Sequence, residues 1–273
     1  MSDHQQQEQI HSFFWEEQAE ENAPYFARAC FCSGYDVYGE IVPHASYIEY
    51  LYLLFRKERA ASAQIQALNV LAIALANPGP RDPAVHAGMC AGVGGSPAAA
   101  VLMAGLAAGA GAAGGSRELY SAMQAWQKNG CDLSKWEKYS IAPTATYPAK
   151  KSVWPDHLTP AGFLADTPLS PHPVQQTLTA IAGHLTDGYS AWLHQHQEQL
   201  AHLVGAPLGI MCVAAASLLD LGFSPEQGEM LTLLLRLPGV AVHALEQQNL
   251  GIKKFPFFSL DIENDPLAGE ARS

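Results

Sequence analysis

Charged residues are scarce in this chain, and basic residues are the scarcest. Asp, Glu, Lys and Arg make up 15% of the 273 residues, and Lys and Arg together number 15, which leaves a formal net charge of −11. Adjacent basic residues occur only at Lys150-Lys151, Lys253-Lys254 and around Arg56-Lys57. Because nucleic-acid binding depends on a face of positive charge, this composition excludes a nucleic-acid-binding protein. The 48% of hydrophobic residues likewise excludes a disordered chain.

The sequence also shows no paired cysteines, no metal-ligand spacing and no pattern that predicts a signal peptide. Its five cysteines are scattered and odd in number, which argues against a disulfide framework. No group of cysteines or histidines has the spacing of a metal site, so no bound metal is expected. Residues 1–22 are polar and acidic, without the basic and apolar segments of a signal peptide. We therefore expect a cytoplasmic protein with reduced thiols.

One stretch without formal charge, residues 85–116, is long enough to cross a membrane. It is rich in glycine, which is costly in a helix, and it lacks flanking aromatic and basic anchors. Its small residues instead suit helices that pack closely inside a protein. We therefore predict buried core helices here, and no membrane.

Helical spacing of apolar residues recurs along the chain, whereas the alternation that predicts strands is scarce. Asp82 before Pro83 is typical of a helix start, since Asp caps a helix and Pro fits its first turn. Residues 97–110 and 207–220 predict two helices of small apolar residues, and residues 226–249 predict a longer helix interrupted at Pro238-Gly239. We predict an all-α protein of about nine helices, with no strand.

The same segments predict the domain organisation. Residues 25–115 and 205–262 are expected to form a large helical domain, and residues 116–204 a smaller helical domain inserted into it. Residues 1–24 are expected as a polar N-terminal tail and residues 263–273 as a loose C-terminal tail.

Four sequence blocks, taken in order, carry a family resemblance. Gly34–Glu40 followed by Ala45–Phe55 is similar to the early citrate synthase pattern, in which a Gly-Tyr turn leads into a helix. Ala91–Glu118 resembles the small-residue helix of that family, which ends in His-Gly-Gly-Ala-Asn-Glu. Arg236–Glu246 and Gly251–Ile262 resemble its C-terminal blocks. The chain therefore resembles the citrate synthase and citryl-CoA lyase superfamily.

This resemblance implies an all-α fold with a large domain interrupted by a small one, in a homodimer. It also implies an active site in the cleft between the domains, where a carbon–carbon bond is made or broken between an acyl-CoA and an oxo-acid. In that family an imidazole stabilises the enol of the thioester, and a carboxylate removes the methyl proton. A coenzyme A thioester is the implied substrate.

The chain departs from the family at all three positions that carry this chemistry. The histidine before the double glycine falls at Ala113, and the second histidine motif is absent near Gly162-Phe163-Leu164. The aspartate should fall near Met211-Cys212, yet no carboxylate occurs between Glu198 and Asp220. Any chemistry must therefore use other residues.

The matching positions that remain lie on the substrate-binding side of the family pattern. Arg236 corresponds to the arginine that holds a carboxylate of the oxo-acid, and His243 to a packed, hydrogen-bonded core histidine. Each of these side chains also has a structural interpretation, such as an arginine that ties down a helix. The substrate-binding candidates are Arg236, Arg81, Asp82 and Lys254, and the candidate for contact with coenzyme A is Lys253.

Two histidines are weak candidates for the missing imidazole. His86 follows the Asp82-Pro83 helix start, and His157 lies in a proline-rich irregular connection. Two hypotheses remain open. The chain is either a citrate synthase-like or citryl-CoA lyase-like enzyme with atypical catalytic residues, or a catalytically silent relative that binds a polycarboxylate or acyl-CoA, with an active homologue as a possible partner.

Overall fold

The computed structural model of the protein describes residues 12–139, 159–164 and 167–256. Helices dominate this part of the chain, so the predicted all-α class is confirmed. The helices are α1 (Val42–His44), α2 (Tyr47–Arg56), α3 (Ser62–Ala76), α4 (Pro83–Val93), α5 (Ala98–Gly109), α6 (Ser116–Asn129), α7 (Leu133–Glu137), α8 (His172–Ala182), α9 (Gly188–Val204), α10 (Ile210–Asp220) and α11 (Pro225–Leu250).

The start of α4 follows the predicted pattern. Asp82 lies at the N-cap, and its Oδ1 accepts hydrogen bonds from the backbone N–H groups of Ala84 at 2.9 Å and Val85 at 3.3 Å. Pro83 occupies the first helical position, where its missing N–H leaves no intrahelical bond unmade. The local sequence thus determines where this helix begins.

The N-terminal end contains strands that the sequence analysis did not predict. An antiparallel sheet of order β1-β2-β3 is formed by β1 (Trp15–Glu20), β2 (Ala23–Cys32) and β3 (Tyr35–Asp36). The prediction of no strand is wrong here, and residues 15–24 belong to the sheet rather than to a tail. All six residues of β1 are exposed, so no buried face imposes the alternation by which a strand is recognised.

The main core is built around α10, which packs against α6, α8 and α9. Eight consecutive residues of α10, from Met211 to Leu218, are buried. Beside it, the indole of Trp126 on α6 makes edge contacts with the rings of Trp136, Tyr189 and Trp192. Small residues on α10 let these large side chains approach the helix closely.

The longest helix, α11, runs without interruption through Pro238, where the sequence analysis expected a break. The ring of Pro238 removes one intrahelical hydrogen bond. The next residue packs closely on α3, since a Cβ on Gly239 would lie 2.6 Å from the carbonyl oxygen of Ala76 at the end of that helix. By length and composition α11 could cross a membrane, but it packs here against α3, α4, α5 and α6.

The stretch without formal charge forms two helices, α4 and α5, joined at Gly94-Gly95. They have 11 and 12 residues, fewer than the roughly 20 that a transmembrane helix needs. The predicted burial is correct for α4, in which five residues are buried. It is wrong for most of α5, in which only Val101, Gly105 and Gly109 are buried.

Candidate substrate site around Arg236

Arg236 is the centre of a buried polar contact between α4 and α11. Its side chain is 6% exposed, and its Nη2 donates to Oδ2 of Asp82 at the start of α4. Its Nη1 donates to the carbonyl oxygen of Gly114, at 2.8 Å. The guanidinium therefore joins α11, the N-terminus of α4 and the turn that precedes α6. An ion pair this deeply buried needs both partners, because either charge alone would be costly there.

Glycines allow the helices around this pair to approach closely. A Cβ on Gly88 of α4 would lie 2.6 Å from Cγ1 of Val240 on α11, and one on Gly105 of α5 would lie 2.5 Å from the same atom. A Cβ on Gly92 would lie 2.7 Å from the carbonyl oxygen of Ala244. Real side chains do not tolerate such distances, so the small residues of α4 and α5 are required by this packing.

Glu118 on α6 holds the turn that contacts Arg236. Its Oε2 accepts a hydrogen bond from the backbone N–H of Gly114, and its Oε1 accepts one from the N–H of Gly162, at 3.0 Å. Burial raises the pKa of the Glu118 carboxyl, while these two hydrogen bonds and the nearby Arg236 act in the opposite direction. Ala113, at the expected place of the family histidine, lies exposed in the same turn and offers only a methyl group.

The expected place of the family aspartate holds a thiol that stays neutral. Cys212 is 1% exposed, and burial raises its pKa to about 12. Burial also raises the pKa of Tyr139 to about 12. Gly162 packs directly on Cys212, since a Cβ added there would lie 3.0 Å from the Cys212 Cα. Neither Cys212 nor Tyr139 can act as a base near neutral pH.

His86 lies one helical turn after Asp82, on the same face of α4. Its ring packs against Phe255, with ring centroids 5.5 Å apart. Phe255 directly follows a short 3-10 turn, Ile252–Lys254, in which Lys253 and Lys254 are exposed. The C-terminal end of the described chain thus contacts the helix that carries Asp82 and His86 through Phe255, and the exposed Lys253 and Lys254 directly precede this contact in the chain.

Of the predicted site residues, the structure brings Arg236 and Asp82 into direct contact and packs His86 of α4 against Phe255. Arg81, next to Asp82 in the chain, is exposed, and Lys254 is the last residue of the turn that precedes Phe255. His157 lies outside the described residues. His243 is hydrogen-bonded on both ring nitrogens, to Asn77 at 3.0 Å and to Glu246 at 3.3 Å, which agrees with a packed histidine.

Glu118, which accepts hydrogen bonds from the N–H groups of Gly114 and Gly162, was not among the predicted site residues. Its position, four residues after Gly114, was the available signal, because a carboxylate one turn into a helix can reach back to the N–H groups before it. Among the residues that the structure describes, no three His, Cys, Asp or Glu side chains lie close enough together to hold a metal ion.

Three solved structures share the fold of this chain. Citryl-CoA lyase from Hydrogenobacter thermophilus has a TM-score of 0.67 and 15% sequence identity, over 94% of this chain and 96% of that one. Methanosaeta concilii ATP citrate lyase, in complex with (3S)-citryl-CoA, has a TM-score of 0.63 and 15% identity, over 95% of this chain. ATP citrate lyase from Methanothrix soehngenii, in complex with citrate and coenzyme A, has a TM-score of 0.63 and 15% identity, over 93% of this chain.

This chain spans 44% and 43% of the two ATP citrate lyase chains, and nearly the whole of the citryl-CoA lyase. The expected all-α, citrate synthase-like fold is thereby confirmed. No family model and no curated protein matches the sequence.

Proposed function

We propose that this chain, which has the fold of citryl-CoA lyase, makes or breaks a carbon–carbon bond between an acyl-CoA and a small oxo- or polycarboxylic acid. The observation that carries the proposal is that Asp82, at the start of α4, pairs with the buried Arg236, and that His86, one helical turn further on, packs against Phe255. The site combines an imidazole with fixed positive charge, which suits a reaction that develops an enolate next to a polycarboxylate.

Each side chain has a role in this proposal. Arg236 orients the turn at Gly114 and, with Arg81 and Lys254, supplies positive charge for the carboxylates of the acid. Asp82 fixes Arg236 and caps α4. Lys253 contacts a phosphate of the coenzyme A thioester. His86 donates a hydrogen bond to the thioester oxygen, the role that Ala113 cannot fill.

An activity assay with matched variants tests this function. The purified protein is mixed either with citryl-CoA or with acetyl-CoA and oxaloacetate, and the thioester absorbance and free thiol are followed. We expect turnover that falls at least about a hundredfold in His86→Ala, as for loss of a general acid. His184→Ala, which removes an exposed histidine elsewhere, is the control and keeps full turnover. Absence of turnover with either set of substrates would contradict the enzymatic proposal.

A second function is favoured by three features of the site. Ala113 lacks a proton donor, Cys212 is buried and neutral, and both ends of the Arg236 guanidinium are already bonded within the chain. These features suit a catalytically silent protein that binds a carboxylate or acyl-CoA and acts together with an active homologue. Its support is a rise in melting temperature with citrate, oxaloacetate or coenzyme A, without turnover.

A pair of arginine variants then locates that binding. Arg81→Ala is expected to lose the ligand-induced rise in melting temperature, because it removes an exposed positive charge without breaking the buried pair. Arg56→Ala, in α2, removes a partly exposed arginine that pairs with Glu58 and is the control. A rise that is equal in Arg81→Ala and the wild type would place the ligand elsewhere.

We further propose a cytoplasmic homodimer. The homodimer is supported by α5, a helix without charged residues on which Met103 is 62% exposed and Ala107 is also exposed. A second copy would remove this apolar surface from water. Sedimentation velocity at several protein concentrations measures the oligomeric state directly.

A further inference from the structure

The carboxylate of Glu118 joins two segments that are far apart in the chain. Its Oε2 accepts a hydrogen bond from the N–H of Gly114, in the turn before α6, and its Oε1 accepts one from the N–H of Gly162, at 3.0 Å. Both glycines have backbone conformations that other residues rarely adopt, with φ of +69° and +92°. Neither N–H belongs to a helix or a strand, so the carboxylate supplies the acceptor that secondary structure does not.

The first of these segments holds the substrate-binding candidate Arg236. The carbonyl oxygen of Gly114 accepts from Nη1 of Arg236, at 2.8 Å, and Nη2 of the same guanidinium donates to Asp82. Gly114 is therefore bonded on both sides of its backbone, with its N–H on Glu118 and its carbonyl group on Arg236. Because the guanidinium is buried, a shift of this turn would leave Nη1 without its acceptor.

The second segment, residues 159–164, is fixed to the start of α10. The carbonyl oxygen of Gly162 accepts from the N–H of Gly209, the N-cap residue of α10, at 2.8 Å. Phe163 forms an antiparallel bridge with Leu208, and both side chains are buried in the main core. This segment is thus tied to the core around α10.

We propose that Glu118 is a positioning residue for the substrate site, whose two hydrogen bonds couple the Gly114 turn at Arg236 to the segment at Gly162. The inference rests on the proposed function, since it concerns the same arginine. An ionised carboxylate is suited to this role because it accepts on both oxygens. A glutamine of the same size has one acceptor and would turn its NH₂ group towards one of the two N–H donors.

Asp220 has a similar pair of hydrogen bonds but joins no separate segments. It accepts from the N–H groups of Tyr189 and Ser190, both at 2.7 Å, and these are neighbours at the start of α9. Burial raises the pKa of the Asp220 carboxyl, as it does that of Glu118. Asp220 therefore caps one helix in a comparable environment, at the opposite end of α10 from Gly209. It is the matched control.

Calorimetric titration with citrate and with oxaloacetate tests the positioning role. We expect the dissociation constant of Glu118→Gln to be at least about tenfold higher than that of the wild type, since a shift of about 1 Å in a positioned group can cost about a hundredfold. Asp220→Asn is expected to bind as the wild type does. With citryl-CoA as substrate, Glu118→Gln should likewise raise KM and leave kcat nearly unchanged.

A merely structural role gives the opposite division between these quantities. Loss of stability lowers the fraction of folded protein, which reduces kcat and the number of binding sites but leaves KM and the dissociation constant unchanged. The measured stoichiometry therefore separates a positioning role from a structural one.

Amide exchange in protein labelled with ¹⁵N-glycine follows the coupling directly and requires no turnover. In Glu118→Gln we expect exchange at least about tenfold faster at Gly162, and also at Gly209, whose N–H is bonded to Gly162 and not to Glu118. Gly130, at the other end of α6, is the internal reference and should exchange as in the wild type.

The wild type provides a second measurement, which does not depend on whether Glu118→Gln folds. Citrate bound at Arg236 should slow exchange at Gly162 more than at Gly130, and equal slowing at both would overturn the coupling. A wild type that binds neither acid overturns the proposed function together with the positioning role. A wild type that binds, with an unchanged dissociation constant in Glu118→Gln or unchanged exchange at Gly162 and Gly209, overturns the positioning role alone.

Discussion

The helices α5 and α10 have nearly the same composition and opposite surroundings. Both consist of small and apolar residues, apart from Asp220 at the end of α10. In α10, eight consecutive residues are buried between α6, α8 and α9, whereas α5 contacts α4 and α11 and buries only Val101, Gly105 and Gly109. Composition therefore identifies an apolar helix, but the number of neighbouring elements decides whether it is a core helix or an open face.

The largest expected difference between the two helices is in the loss of unfolding free energy when one alanine of each is replaced by aspartate. Ala214→Asp in α10 places a carboxylate where the side chain is fully buried, so we expect a loss of more than about 4 kcal/mol of unfolding free energy. In the monomer, Ala107→Asp on the exposed face of α5 should cost about 1 kcal/mol or less, the helix-propensity difference. Urea denaturation followed by circular dichroism measures both.

These two measurements are made at several protein concentrations, because a homodimer would make the stability of the α5 variant depend on concentration. A concentration-independent loss for Ala107→Asp as large as that for Ala214→Asp would show that α5 is a core helix after all.

The buried ion pair beside α5 gives the next largest effect. Arg236→Met leaves the Asp82 carboxylate without its partner, and we expect a loss of about 3–5 kcal/mol, because an unpaired buried charge is costly. The double variant Asp82→Asn/Arg236→Met should lose less than the two single variants together, since the pair acts as a unit. Additive losses in a denaturation cycle would contradict the pairing.

The pairing of Arg236 with Asp82 also shows where prediction from the sequence stops. The start of α4 was predicted correctly, since Asp82 and Pro83 are adjacent and their effect is local. The contact with Arg236 joins residues 154 positions apart, and depends on how α11 crosses α4. The sequence named both side chains as candidates, but their pairing and the bonds of Glu118 to Gly114 and Gly162 follow only from the packing.

The strands of the N-terminal sheet were missed for a related reason. A pattern of apolar residues records which side of an element is buried, and β1 has no buried side. In the helices the pattern was present, and their positions were predicted well. The exposed face of α5 was mistaken for a buried one because its alanines and glycines are equally compatible with packing and with exposure.

A smaller effect is expected where α5 meets α11. Gly105→Ala should destabilise the protein by about 1–3 kcal/mol, although such a change in a helix is ordinarily favourable, because the new Cβ would lie 2.5 Å from Cγ1 of Val240. Gly111→Ala is the matched control: its Cβ would meet only the carbonyl oxygen of Ala108, at 3.5 Å. Thermal denaturation of the two variants compares them, and equal stability would mean that α5 does not pack tightly on Val240.

The smallest expected effect is a difference in thiol reactivity between α10 and the helices around α5, and it leaves the fold unchanged. Cys212 on α10 is buried, and burial raises its pKa to about 12, so the thiol stays protonated at pH 8. Cys90, on α4 beside α5, is exposed. We expect a thiol reagent at pH 8 to modify Cys90 rapidly in the native protein and Cys212 only after unfolding. The variant Cys90→Ser should lose the fast phase that belongs to α4.

The rate of modification at Cys212 should then follow the opening of the core, because the reagent reaches that sulfur only when α10 is released from its neighbours. Modification of Cys212 as fast as that of Cys90 would show that α10 is no better covered than the helices around α5.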